Sequence, residues 1–382
     1  MDLIYPCCAG VDVHKKTVVA CVRRAGPDGA IGREVRTYRT MTADLIALAD
    51  WLDAEGVTHV AMESTGVYWK PVFHLLEGRF EVLLVNAHHI KQVPGRKTDV
   101  KDSEWIAQLL QYGLLRSSFI PPPPIRELRD LTRHRAQLVR ERATAANRVQ
   151  KVLEDANIKL GSVATDVLGV SGRSMLVALI GGNDDPVALA NLARGSLRGK
   201  APELKLALQG LVTDHHRFLL RTLLRQIDQL EGLIAEYAAR IEEVTAPLAE
   251  ATARLESIPG LGGRAAEVIV AEIGTDMTAF PTAGHLASWA GLCPGNNESA
   301  GKRRTGKTTK GSQWLRTVLV QVAWSASHTK ETIFSATYRK WAKRLGKKKA
   351  LVALGHKILR VVYKLLKEGI DYREHWIAPE PA

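Results

Sequence analysis

The sequence predicts a mixed α/β domain at the N-terminus and a mainly helical remainder. Segments rich in β-branched residues fill most of residues 7–38, and strand-like and helix-like segments then alternate as far as residue 112. Four consecutive prolines follow at 121–124, and the chain beyond them carries apolar residues at helical spacing over long distances.

The N-terminal domain is predicted to contain one mixed sheet. Its first three strands are joined by short connections, which favours an antiparallel meander. The alternation of strands and helices after the meander is typical of parallel pairing. The predicted strands are residues 7–13, 17–23, 31–38, 57–62 and 80–85, and the predicted helices are residues 42–55, 67–77 and 102–112.

The prolines at 121–124 are expected to form a stiff linker, because proline does not continue a helix or a central strand. Two long helices at 125–160 and 218–255 predict an antiparallel coiled-coil arm that carries a helical cap at 174–210. A plain helical bundle fits the same spacing. An arm of this kind is commonly a dimerisation element or a scaffold for nucleic acid.

The last domain is expected to begin with a short turn that contains Pro259, Gly260 and Gly262. Such a turn before a helix is typical of the helix-hairpin-helix elements that contact DNA backbones, although a simple turn has the same residues. Further helices are predicted at 264–273, 314–328 and 351–366. We therefore divide the chain into domains 1–120, 121–256 and 257–382.

The positive charge is concentrated in the last domain. The net charge is +13, and residues 258–382 contain 20 Lys and Arg against 9 Asp and Glu. This concentration favours nucleic acid as the partner. The alternatives are that the charge only keeps the protein in solution or that it binds an acidic membrane surface. No apolar stretch is long enough to span a membrane, and four scattered cysteines exclude a CxxC zinc site and favour a reducing compartment, so a cytoplasmic location is expected.

Four carboxylates form a candidate metal site. Asp12 lies within the first strand, Glu63 ends the fourth strand, and Asp99 and Asp102 stand three apart where a helix begins. Each has an ordinary interpretation, as an ion-pair partner or as a helix-capping acid. Together they match the needs of two-metal phosphoryl transfer, in which several carboxylate oxygens converge and a cation offsets their repulsion.

A second candidate is Ser299, which is followed closely by Lys302, Arg303 and Arg304. These cations are suited to neutralise a phosphate beside the hydroxyl. The alternative is that Ser299 only hydrogen-bonds a phosphate within a flexible basic loop. Other candidate nucleic-acid contacts are Arg96, Lys97, Lys101, Lys307 and Lys310, the run at 339–349 and, more weakly, Arg316; His14, His88 and His89 are candidates for acid–base chemistry or for ordinary hydrogen bonding.

Three groups of motifs occur in order along nearly the whole chain. They are Gly10-Val11-Asp12-Val13-His14-Lys15 with Glu63-Ser64-Thr65-Gly66, the segment 94–102, and the C-terminal segments 257–262 and 290–311. In this combination the chain resembles the DEDD transposases of the bacterial insertion-sequence family one-ten, to which the pilin-gene invertases are related. It differs from the usual Ser-Gly-Gly of that family in having Ser299-Ala300-Gly301.

The resemblance implies a RuvC-like, ribonuclease-H-type first domain, in which Asp12, Glu63, Asp99 and Asp102 hold Mg²⁺. It also implies that Ser299 is a nucleophile that forms a covalent phosphoserine–DNA intermediate. Members of the family act on donor and target DNA, are guided by a structured noncoding RNA, and work as homo-oligomers, dimers or tetramers, with composite active sites. A cytoplasmic, nucleoid-associated location follows from such substrates.

Three functions are therefore compared. The first is a transposase that breaks and rejoins strands through Ser299. The second is a RuvC-like, structure-selective endonuclease without a covalent step, which would need only the first domain. The third is a non-catalytic nucleic-acid-binding scaffold, against which the four carboxylates argue. The sequence favours the first.

Overall fold

The computed structural model describes residues 3–64, 66–86, 90, 102–295, 297–299, 302–305, 308 and 310–373, of which 297–299 and 302–305 are described in their backbone only. Two compact units are present, residues 1–120 and 121–382. Each unit is described separately below.

The first unit is built on one five-stranded sheet with the strand order β3-β2-β1-β4-β5. The first three strands pair antiparallel as the predicted meander, and β4 and β5 are added in parallel on the other side of β1. The strands are β1 (Cys7–Val13), β2 (Thr17–Ala25), β3 (Ile31–Arg39), β4 (His59–Glu63) and β5 (Glu81–Val85), and the helices are α1 (Thr42–Ala54), α2 (Trp69–Leu76) and α3 (Asp102–Gln111).

Each face of this sheet is covered by helices. The side chains of Ala9, Val11 and Val13 alternate along β1 and pack into a core that includes residues of α1 and α2. Cys8 points to the opposite face and packs with apolar residues of α3, including Ile106. The first unit is therefore a three-layer α/β structure, which confirms the predicted mixed sheet.

The second unit is mainly helical. Its helices are α4 (Pro123–Asp155), α5 (Leu160–Val163), α6 (Val170–Ile180), α7 (Pro186–Ala190), α8 (Ala201–Ala207), α9 (Asp214–Thr245), α10 (Ala249–Glu256), α11 (Gly263–Ile273), α12 (Ala283–Trp289), α13 (Gln313–His328), α14 (Ile333–Leu345) and α15 (Lys347–Glu368). A two-stranded sheet joins β6 (Asn297–Ser299) to β7 (Lys302–Thr305). No helix within the described part of the chain has the length and apolar composition needed to cross a membrane.

The prolines at 121–124 are not all linker. The last two form the first turn of α4, where a missing N–H costs nothing and the fixed φ suits a helix. The expectation of a proline linker through residue 124 is therefore wrong for its last two residues. The helix that follows is 33 residues long, which corresponds to about 50 Å.

Helices α4 and α9 pack side by side in opposite directions. Near one end the His134 ring stacks on the Tyr237 ring at 5.0 Å between centroids, and near the other His216 Nε2 lies 3.0 Å from Asp155 Oδ2. We call this pair the arm. The short helices α5 to α8 share one apolar core with the end of the arm that contains Asp155 and His216. They occupy the place of the predicted cap in the chain. Whether the pair has coiled-coil geometry stays a prediction.

A buried ion network joins α4, α11 and α13. The carboxylate of Glu272 is fully buried and accepts two hydrogen bonds from Arg133, at 2.7 and 2.9 Å, and one from the Ser312 hydroxyl at 2.9 Å. Arg129 donates to the backbone oxygens of residues 271 and 272, and burial lowers its pKa to about 10 despite the Glu272 charge. This network fixes the orientation of the three helices.

Candidate active site

The carboxyl ends of β1 and β4 bring two predicted site residues together. Val11 pairs with Met62 in the parallel ladder, so the next residues, Asp12 and Glu63, lie beside each other at the end of the two strands. By strand alternation both side chains are on the face that α3 covers. The carboxyl ends of parallel strands are common positions for active sites in α/β folds.

Gly10 controls how closely α3 approaches this face. A Cβ placed on Gly10 would lie 2.2 Å from the Ala107 nitrogen and 2.3 Å from the Ser103 oxygen. No side chain larger than hydrogen fits between the strand and the helix. On the same strand face, the Cys8 thiol donates to the Ala107 carbonyl at 3.6 Å. Because the backbones are almost in contact, the first turn of α3 lies against the end of β1.

Asp102 begins α3 and therefore lies near Asp12. Burial raises the pKa of Asp12, the charge of Asp102 raises it further, and His14 lowers it. His14 Nε2 is 3.1 Å from Asp12 Oδ2, and the Asp12 side chain is only 16% exposed. The two carboxylates are thus close enough to repel each other, although 89 residues separate them in the sequence.

Asp12 and Asp102 have the ligand chemistry that a divalent cation requires. Carboxylate oxygens are the hard ligands that Mg²⁺ takes, and a bound cation would offset the repulsion between Asp12 and Asp102. Within the residues that the structure describes, no group of three or more His, Cys, Asp or Glu side chains is close enough to hold a metal. The predicted fourth ligand, Asp99, lies outside the described residues, as do Arg96, Lys97, Lys101, His88 and His89.

Ser299 lies in a β-hairpin. The strand β6 ends at Ser299, which pairs with Lys302 at the start of β7, and Glu298 pairs with Arg303. The expectation of a flexible loop is therefore wrong for 297–299 and 302–305, since these backbones pair as strands. The side chains of Ser299, Lys302, Arg303 and Arg304 are outside the description.

Two residues between the hairpin and α13, Thr308 and Gly311, have close contacts within the second unit. A Cβ on Gly311 would lie 2.3 Å from the backbone of Ala290, and the Arg316 guanidinium donates to the Thr308 hydroxyl at 2.7 Å. Arg316 thus has a structural partner. Lys310 is exposed, and Lys307 lies outside the described residues.

Sequence reasoning missed the role of Gly10. The signal was present, because a glycine inside a strand, here between Ala9 and Val11, often marks a close backbone approach. It also did not single out Trp314, which lines a cavity of the second unit together with several arginines.

Two family models match the chain. A DEDD transposase model named for the insertion element IS110 matches residues 9–158, and a model described as "Transposase IS116/IS110/IS902 family" matches residues 252–339. The first contains Asp12, Glu63, Asp99 and Asp102, and the second contains Ser299. Together they cover well over half of the chain.

Curated relatives agree with the two models. The chain is 28% identical over 302 residues, 73% of each protein, to the "Insertion element IS110 uncharacterized 43.6 kDa protein" of Streptomyces coelicolor. It is 28% identical over 269 residues to the corresponding IS116 protein of Streptomyces clavuligerus, which covers 62% of this chain and 65% of that protein. It is 33% identical over 130 residues to "Putative transposase y4pF/y4sB" of Sinorhizobium fredii, a match that spans only a third of either chain.

Proposed function

We propose that this chain, which belongs to the IS116/IS110/IS902 family of transposases, moves an insertion sequence by phosphoryl transfer on DNA. The observation that supports the proposal most is that Asp12 and Glu63 follow paired residues at the ends of two neighbouring parallel strands, while the charge of Asp102, at the start of α3, acts on Asp12. The DEDD match implies a RuvC-like first domain, and the mixed five-stranded sheet is consistent with it.

In this proposal Asp12, Glu63, Asp99 and Asp102 hold Mg²⁺ at the end of β1 and β4. When bound, the cation activates the attacking oxygen and stabilises the leaving oxygen. The protein supplies the geometry, since Gly10 lets α3 approach and so sets the separation of Asp12 from Asp102. Arg96, Lys97 and Lys101 precede Asp102 closely and are proposed to hold the scissile strand by its phosphates.

Ser299 is proposed as the nucleophile. Its Oγ forms a bond to phosphorus while the bond from phosphorus to the leaving sugar oxygen breaks; the serine loses its proton and the leaving oxygen gains one. Attack by the hydroxyl of a second strand reverses the chemistry and restores the serine. Pairing with Lys302 in the hairpin supports this role because it places a basic residue directly opposite Ser299. Arg303, Arg304, Lys307 and Lys310 are proposed phosphate contacts.

The partners follow from the same proposal. They are donor and target DNA, a structured noncoding guide RNA, and further copies of this chain as a dimer or tetramer, in which a carboxylate site and a serine come from different subunits. The domain division 1–120, 121–256 and 257–382 assigns the arm to oligomerisation. Because the substrates include DNA, the protein is proposed to act in the cytoplasm at the nucleoid. A monomer in light scattering with DNA and RNA bound would contradict the oligomer.

The proposal is tested by recombination between donor and target plasmids, with the noncoding DNA that flanks the element supplied. We expect wild-type protein to recombine them and to appear covalently attached to DNA on denaturing gels. Ser299→Ala is expected to abolish both while nucleic-acid binding is retained. Ser325→Ala, at an exposed serine of α13, is the matched control and is expected to behave as wild type.

The carboxylates are tested in the same assay by Asp12→Asn. We expect loss of strand cleavage, whereas Asp50→Asn, at an aspartate that is 61% exposed and pairs with Arg79, serves as the control. If Ser299→Ala still cuts DNA and only Asp12→Asn is inactive, the chain is a metal-dependent endonuclease. If both variants recombine normally, the chemistry lies elsewhere.

A further inference from the structure

The second unit contains a cavity of about 570 Å³ to which no function has yet been assigned. Its walls come from α4, from the start of α11 with the preceding glycines, and from the first half of α13. The volume is in the range of pockets that take small molecules or single nucleotides. All of its lining residues are within the second unit.

Four arginines line the cavity, and two of them are neutralised. Arg133 is paired with the buried Glu272, and Arg135 donates to Glu267 at 2.6 Å. These two pairs belong to the packing of α4 on α11. They hold the cavity wall in place and leave little charge for a ligand.

The other two arginines, Arg140 and Arg264, are exposed. Across the described parts of the chain, no carboxylate lies within ion-pair distance of either one. The cavity lining therefore includes two guanidinium groups without an ion-pair partner among the described residues, and the Glu256 carboxylate lies near the lining residue Gly263. A cationic pair of this kind, facing a concave surface, attracts a phosphate.

The cavity also offers an aromatic and apolar surface. The Arg140 guanidinium lies over the Trp314 ring at 4.8 Å from its centroid, and Arg133 lies over the same ring at 5.8 Å. Val139, which is 44% exposed, is a further lining residue. An inorganic anion would use only the charges, whereas a nucleotide would use the charges and the ring together.

Hydrogen bonds at the start of α13 fix the position of Trp314. It is the second residue of α13, whose N-cap residue Ser312 accepts from the Leu315 amide and donates to Glu272. The buried ion network therefore anchors the helix turn that carries the ring. Among the other lining residues, a Cβ on Gly262 would meet nothing within 4 Å, so this position leaves the cavity wall uncrowded.

We propose that this cavity binds one unpaired nucleotide within a nucleic-acid strand, with its phosphate held by Arg264 and its base on the stack that the Arg140 guanidinium forms with Trp314. A paired base is stacked inside a duplex and has no free face for the Arg140–Trp314 stack, so the ligand is single-stranded or locally unpaired. The inference requires the chain to handle nucleic acid, as proposed above, but it does not require Ser299 to be a nucleophile.

Two substitutions separate the two parts of the site. Arg264→Gln removes a phosphate contact, so we expect the slope of log affinity against log salt concentration to fall by about 0.7 for a single strand. Trp314→Leu removes the stacking surface, and we expect about tenfold weaker binding or more with an unchanged salt slope. Trp314→Phe keeps a ring and is expected to restore most of the affinity.

Matched controls lie outside the cavity. Trp324→Leu changes a tryptophan on the same helix that is 56% exposed, and Arg240→Gln changes an exposed arginine of the arm that pairs with Glu243. Neither residue lines the cavity, so we expect smaller effects from both. Thermal unfolding of each variant separates a binding defect from a folding defect.

The experiment measures fluorescence anisotropy of labelled 12-nucleotide strands with the full chain, in chelator, from 50 to 250 mM salt. Single-stranded RNA, single-stranded DNA of the same sequence and a DNA duplex are compared. We expect tighter binding of one single-stranded form than of the duplex, and its identity tells which nucleic acid uses the site. Equal loss with Trp314→Leu and Trp324→Leu, or wild-type behaviour of both cavity variants, would overturn the proposal. Because cleavage is blocked by the chelator, the result is independent of the Ser299 mechanism.

Discussion

Replacing Gly10 with alanine is expected to push α3 away from β1 and so to disturb the carboxylate site. The new methyl carbon would lie 2.2 Å from the Ala107 nitrogen, whereas ordinary contacts begin at 3.4 Å, so α3 must withdraw by about 1.2 Å. Overpacking of this size costs about 1–3 kcal/mol of stability. Since α3 begins at Asp102, the same movement separates Asp102 from Asp12, and a misplacement of about 1 Å in a catalytic group lowers the rate by about 100-fold.

The assay is strand cleavage as a function of Mg²⁺ concentration, measured well below the unfolding temperature of the variant. Gly78→Ala is the control, because a Cβ on Gly78 meets nothing within 4 Å and lies in the same unit. We expect Gly10→Ala to remain folded by circular dichroism, to lose about 100-fold in cleavage rate and to need more Mg²⁺. Wild-type cleavage and Mg²⁺ dependence in Gly10→Ala would refute the link between this contact and the site.

Three further predictions concern the stability of the second unit and the buried thiols of the first. Glu272→Ala leaves buried arginines without a counter-charge and is expected to lower the free energy of unfolding by about 3–5 kcal/mol in urea titrations, whereas Glu243→Gln, in an exposed pair, is expected to change it little. Burial raises the pKa of Cys8 to about 12 and that of Cys21 to about 11, so at pH 8 both thiols stay protonated; alkylation of either in the folded protein, detected by mass spectrometry, would contradict this. Tyr363→Phe removes the hydroxyl that donates to backbone oxygens 280 and 281, and we expect thermal unfolding to show a loss of about 1–3 kcal/mol.

The regular elements of the first unit were predictable because their side-chain periods are strong. The meander over residues 7–39 and the helices at both sheet faces follow from alternation and helical spacing. The hairpin formed by β6 and β7 was not predictable, since its strands are three and four residues long and polar, with no apolar alternation. Helix α14 was likewise missed, because its many basic residues were assigned to a charged surface.

The sequence suggested which residues form the candidate site, and their roles stay predictions, but it did not give the geometry of the site. The family resemblance singled out Asp12, Glu63 and Asp102, but the position of Glu63 beside Asp12 depends on parallel pairing of β1 with β4, and that of Asp102 on the packing of α3 against Gly10. These are contacts between segments far apart in the chain, which no local pattern encodes. The cavity beside Trp314 was not visible in the sequence for the same reason, since three separate helices form it.

The arm has a topological consequence for how this protein can vary. Because α4 and α9 run in opposite directions, the chain leaves the arm after Asp155 and returns to it at Asp214, and His216 lies 3.0 Å from Asp155. Everything between is an insertion whose two ends meet at one point. Closing a loop between neighbouring ends depends only weakly on its length, so the cap can lengthen or shorten at little entropic cost as long as it still covers the apolar residues of the arm.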